Sequence, residues 1–142
     1  LHARATIWRW RPAYQADFQA RMDWCVKSFA EANHNPLAVI NGSNSPEVLI
    51  LTPDAGSELR LSAAGSSDPD GDALVYNWWV YSEAGSYPGE VEIKGRRDET
   101  PILKVPPDSA GSDLHVILEV IDIGAPALTS YRRVIVKVSA KR

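Results

Sequence analysis

At 142 residues, with 44% hydrophobic and 23% charged side chains, the chain has the composition of one globular domain plus an extension. A formal net charge of -3, with the basic pairs Arg96-Arg97 and Arg132-Arg133 standing apart, gives no nucleic-acid face, and both pairs read as solvated strand or loop charges. A single cysteine excludes an internal disulfide, and no apolar run approaches the ~20 residues of a transmembrane helix, so neither a nucleic acid nor a membrane is expected as partner.

The chain begins with Leu1 and is expected to be a piece of a longer protein, with any targeting signal upstream. Near the start, Trp8 and Trp10 alternate with Arg9 and Arg11. That alternation suits a short strand with aromatics on one side, either docked against a neighbouring domain or open to a sugar. Pro12 is placed where the first turn of a helix accepts it, since its missing N–H is not needed there. Tyr14, Phe18, Met22, Val26 and Phe29 then recur at three- and four-residue intervals, widened by Trp24 and Cys25. This spacing predicts an amphipathic helix over Ala13–Glu31 that buries Phe18, Met22 and Phe29, with Cys25 an inert packing residue. Asn33-His34-Asn35-Pro36 ends it, because the residue before a proline avoids helical geometry, and His34 reads as a surface residue.

Residues 1–35 are thus a helical tail or joint. Residues 36–47, with Asn41-Gly42-Ser43-Asn44-Ser45-Pro46, have the content of a linker. Residues 48–142 read as short strands separated by Pro, Gly, Asp and Ser: Val48–Leu51, Glu58–Ala63, Leu74–Tyr81, Val91–Lys94, Ile102–Val105, Leu114–Ile123 and Tyr131–Val138. Such spacing predicts an antiparallel β-sandwich with no helix after Pro36. Tyr76, Trp78, Leu118 and Val120 are the expected core.

The run from Leu61 to Trp78 contains Asp68-Pro69-Asp70-Gly71-Asp72 followed by Leu74, Tyr76 and Trp78. It resembles the signature of PKD-like and cadherin-like bacterial modules. The likeness implies a mainly β, immunoglobulin-like fold and says little about function, because such modules serve as spacers, adhesins and enzyme accessories. The opening Trp8-Arg9-Trp10-Arg11-Pro12, with Asp17-Phe18 and Arg21-Met22-Asp23-Trp24-Cys25, is similar to the domain junction of a bacterial cellulose-binding family. In that family a nucleoside-hydrolase-like domain precedes an immunoglobulin-like C-terminal domain. The resemblance implies a secreted or periplasmic, non-catalytic C-terminal module whose upstream hydrolase-like domain lies in the same polypeptide. No aspartate cluster precedes Pro36, so no catalytic residue carries over.

Two constellations are candidate sites. Asp68, Asp70 and Asp72 alternate around Gly71, either as a calcium loop of hard oxygen ligands or as a turn in which the side chains cap their own backbone. Structural calcium is the one cofactor considered, and none is required. On the strand after it, Leu74, Tyr76, Trp78 and Val80 share one face, while Val75, Asn77, Trp79 and Tyr81 share the other. Trp79 and Tyr81 beside the Asn77 amide, with Tyr87 nearby, form a candidate stacking surface for a cellulose-like glucan. The other outcome is that the helix covers them. His115, on a strand with no second ligand close in sequence, gives no zinc site. Three functions follow: a glucan-binding accessory module, a spacer or brace for the upstream domain, or a fragment lending a loop from residues 1–12 to a neighbouring active site.

Overall fold

The computed structural model describes residues 4–140; the first three and last two residues of the expected domains lie outside it. Its elements are helix α1 (Ala5–Val26) and strands β1 (Leu49–Leu51), β2 (Glu58–Arg60), β3 (Val75–Val80), β4 (Ile93–Lys94), β5 (Ile102–Lys104), β6 (Asp113–Ile121) and β7 (Thr129–Lys137). They form two sheets, ordered β1-β7-β6-β3 and β2-β5-β4. The mainly β, immunoglobulin-like sandwich is therefore present, with each strand within a few residues of its expected place. A 3₁₀ turn at Ser82–Ala84 is the helical element after residue 50 among the described residues.

Period-two alternation sets the core. Leu114, Val116, Leu118 and Val120 of β6 point inward with Trp78, Val134 and Val136, all at most 2% exposed. Trp78 pairs with Leu118 in the β3–β6 register, and its indole N–H donates to the Asp98 carbonyl at 3.1 Å. Tyr76 packs at the edge of this cluster. One ladder departs from the antiparallel expectation: β1 runs parallel to β7, Leu49 opposite Val134. A tight hairpin enforces antiparallel pairing, but these are the first and last strands, and nothing in so long a connection fixes their sense.

Residues 36–47 are packed, unlike a solvated linker. Ile40 is fully buried and joins the core, and Leu37 bridges Ser67. The cause is Arg132, which stands opposite Leu118 and so faces inward instead of being a solvated charge. Its guanidinium donates to the carbonyls of Ala38 and Ser43 at 3.2 and 2.8 Å, and more weakly to that of Glu47. Desolvation holds its pKa below the ordinary arginine value. A buried cation without a carboxylate partner must be met by carbonyl dipoles, and those come from the loop.

The helix differs most from expectation. It starts at Ala5 and ends at Val26, so Trp8 and Trp10 are helical and Pro12 is internal. Pro12 cannot donate to the Trp8 carbonyl, and both residues lie exposed on the solvent side of the helix. Phe18, Met22 and Phe29 are 64%, 49% and 67% exposed, and Cys25 is exposed as well, so the expected buried stripe faces solvent. The inward stripe is instead Trp10 and Ala20, with Trp24 turned to Asn33 and His34 of the following segment, a stripe rotated from the predicted one. His34 is half-buried, stacked on Phe29 at 3.8 Å and on Trp24 at 5.6 Å.

Trp78→Ala is expected to cost roughly 3–5 kcal/mol in denaturant unfolding. Arg132→Ala should cost roughly 1.5–3 kcal/mol through the carbonyls it leaves unpaired. Phe18→Ala should stay within about 0.5 kcal/mol of the wild type.

Candidate functional site

The outer face of the four-stranded sheet is where the chain gathers its aromatic groups. Alternation along β3 turns Asn77 and Trp79 outward, and Tyr81 follows beyond the strand, its N–H bonded to the His115 carbonyl. Ile117 stands opposite Trp79, and Tyr131 stands beside Glu119. Helix α1 crosses this face and sets Trp10 into it. The Trp10 ring lies 5.5 Å from Trp79, 6.3 Å from Tyr81 and 5.1 Å from Tyr131, the latter two edge-on. Such tilted and edge-on pairs place positive ring edges on negative ring faces. Arg9 caps the cluster, its guanidinium 5.2 Å above Trp79 and 5.5 Å above Tyr81 while it donates to Glu83 at 2.6 Å.

Trp79, Tyr81 and Asn77 are thus brought onto one face, with Trp10 and Arg9 laid over the two rings. The Asn77 amide is itself engaged, donating to Glu119 at 2.6 Å. Tyr87 is elsewhere: it packs against the interior cluster, and its hydroxyl donates to Asp108 at 2.7 Å. Sequence reasoning missed Tyr131 and the Trp10 contact. The β7 alternation held a signal for Tyr131, which is two residues from Arg133 on the same face. Nothing in the alternation of Trp8 to Arg11 shows which side of a helix Trp10 occupies.

Beside the cluster, Trp10, Ala13, Tyr14, Asp17, Thr129 and Tyr131 line an open groove of about 220 Å³. Tyr14 and Tyr131 keep part of their rings in solvent. Burial, then the Glu119 carboxylate, pushes the Tyr131 phenol up to about 12, so it remains a hydroxyl donor at any working pH.

The acidic loop has a different use. Asp68 Oδ1 accepts the N–H of Asp70 at 2.8 Å and of Asp72 at 3.3 Å, while Gly71 takes φ +82°, which a side chain would strain. Asp70 turns away to receive the His34 N–H at 2.7 Å and its ring Nδ1 at 3.0 Å. Asp68 Oδ2 is buried without a partner. Desolvation raises the Asp72 pKa, with Asp68, Asp122 and Asp70 adding repulsion. Among the described residues, no three His, Cys, Asp or Glu side chains gather as a metal-ligand set. His115 sits at the edge of the outer face, its Nδ1 accepting from Arg133 Nε at 3.0 Å.

This architecture defines an immunoglobulin-like β-sandwich module carrying a helix across one sheet. The family model described as cellulose-binding protein Sde0182, C-terminal domain, matches residues 58–138, and the chain belongs to that family. It is also similar, at 43% identity and a TM-score of 0.91, to a nucleoside hydrolase-related hypothetical protein from Saccharophagus degradans that is associated with carbohydrate metabolism. That likeness covers 92% of this chain and 32% of the other, so the chain spans about a third of its relative. The PKD domain from the KIAA 1837 protein is similar at 19% identity and a TM-score of 0.45, over 67% of this chain and 84% of that one. Human CDH23 EC21-23 is similar at 13% and 0.49, over 73% and 35%. No functionally curated protein matches the chain.

Desolvation, then the Arg133 charge, lowers the His115 pKa below its ordinary 6.5. The unfolded chain therefore binds this proton more readily, so stability is full above pH 6.5 and falls as pH drops below it. His115→Gln is expected to flatten that acid-side loss in melting curves taken between about pH 7 and pH 5.

Proposed function

We propose that this chain is a secreted or periplasmic, non-catalytic accessory module that holds a cellulose-like glucan in the groove between α1 and the outer sheet face. Family membership supports the substrate class. The observation that carries the placement is the groove itself, where the part-exposed rings of Tyr14 and Tyr131 flank Asp17 and Thr129. The apolar face of a pyranose stacks on such rings, while a carboxylate and hydroxyls take up its hydroxyl groups. Trp79 and Tyr81 then support the site from below, with Trp10 between them and the sugar.

A second reading, a brace for a linked domain with no ligand of its own, is favoured by one observation: α1 takes up the Trp79 and Tyr81 rings that a flat sugar platform would need.

The test is retention on insoluble cellulose, with soluble glucans in parallel. Two stacking rings, offset by desolvation and ordering costs, should give micromolar to millimolar affinity, about -4 to -8 kcal/mol. Tyr14→Ala is expected to weaken retention with little change in melting temperature, whereas Tyr131→Ala should weaken retention and also lower the melting temperature through the lost Trp10 contact. Trp79→Ala is expected to lower the melting temperature, because Trp10 and Arg9 lose their seat. A wild-type chain that no glucan retains leaves the brace reading.

A further inference from the structure

Helix α1 carries a second apolar stripe that the sandwich does not use. Trp10, Ala20 and Trp24 are the residues it commits to the sandwich and the segment following it. Ile7, Phe18 and Met22 stand 55%, 64% and 49% exposed. At about 100° per residue these three fall within roughly 60° of helix circumference, and Arg4 and Arg11 fall in the same sector. Both arginines are exposed, and neither makes an ion pair among the described residues. Single exposed apolar groups are ordinary, but a stripe at helical spacing marks a packing face.

The S. degradans relative indicates what covers it. Its likeness leaves out only 8% of this chain, about 11 of 142 residues, fewer than the 22 of α1. At least half of the helix is therefore matched in a polypeptide of which the matched part is 32%. A domain tethered in the same chain meets the stripe at high effective concentration, so a narrow contact suffices where a free partner would need a larger one.

We propose that the Ile7–Phe18–Met22 stripe is the docking surface for a nucleoside-hydrolase-like domain carried in the same polypeptide. The facing patch is apolar opposite Phe18 and Met22, with carboxylates opposite Arg4 and Arg11 toward the N-terminal end of the stripe. The inference does not rest on glucan binding in the groove, whose Tyr14 stands one helical turn from Phe18 beside the stripe.

The test is a chimera in which this chain replaces the matching segment of the S. degradans relative, compared with this chain alone. Backbone amides of α1 should exchange on the order of tenfold more slowly in the chimera. The double variant Phe18→Ser/Met22→Ser should return them to the rate seen in the chain alone and enlarge the scattering radius of the chimera. In the chain alone the same variant should leave the melting temperature unchanged, which separates lost docking from unfolding. Equal α1 exchange in the chimera and the isolated chain overturns the proposal, as does a double variant that exchanges like wild type. Sedimentation of the isolated chain as a dimer that the double variant dissolves also overturns it, in favour of a second copy. Cellulose retention, measured on the same proteins, should not change with the double variant.

Discussion

The Asp122 carboxyl, 2% exposed at the end of β6, is the constraint on which the placement of the helix depends. A buried carboxyl is tolerated only when its oxygens are met by donors. Oδ1 accepts the N–H groups of Gly124 and Leu128, each at 2.9 Å, which folds the β6–β7 connection around it. Oδ2 accepts the Asn33 amide at 2.9 Å. Asn33 spends its second amide hydrogen on the Pro126 carbonyl and offers its own carbonyl to the Trp24 indole at 2.7 Å. The far end of α1 is thereby tied to the sandwich. His34, next in sequence, adds the Asp70 contacts and a stack between Trp24 and Phe29. With the C-terminal end fixed and the helix rigid, Trp10 is delivered to the aromatic face some three to four turns away.

Arg132 plays the converse part further along the same sheet. It is a buried cation met by carbonyls, as Asp122 is a buried acid met largely by N–H groups. Each turns a polar stretch that would otherwise be solvated into packed structure: residues 36–47 in one case, 33–34 and 122–128 in the other. Removing either group would strand several backbone partners at once, and this non-additivity is typical of buried polar networks.

This explains what the sequence made legible. Strand alternation around Trp78 and along β6 marked the core correctly, because one-sided burial writes a period of two into the residues. The acidic loop was legible as a turn, since Asp-Pro-Asp-Gly-Asp supplies its own capping groups. The helix register was not. Pro12 resembles a helix start, and α1 has two apolar stripes, of which the more regular, Phe18–Met22, faces outward. Asn33 and His34 have the composition of a terminator, and the partners that give the Asn33 side chain its structural role, Asp122 and Pro126, lie 89 and 93 residues on. Arg132 beside Arg133 looks like a solvated pair until strand alternation assigns the two to opposite faces. The parallel β1–β7 pairing leaves no local trace in either strand.

The same geometry divides the surfaces available for function. An immunoglobulin-like sheet has one face for the core, and here α1 occupies the other. Trp79 and Tyr81 are therefore left only partly exposed, with Trp10 and Arg9 against their rings. Each aromatic contact is worth only about 0.5–1.5 kcal/mol beyond area burial. Trp10 makes three of them, Arg9 adds a partly exposed cation–π and ion-pair contact, and the Trp24 clamp holds the other end. Displacing the helix would use up much of the free energy that weak stacking on a glucan supplies. A bound sugar would gain more from staying beside Trp10, on Tyr14 and Tyr131, than from replacing it. The helix then serves as one wall of the groove, and the adjoining Ile7–Phe18–Met22 flank stays free to meet a linked domain.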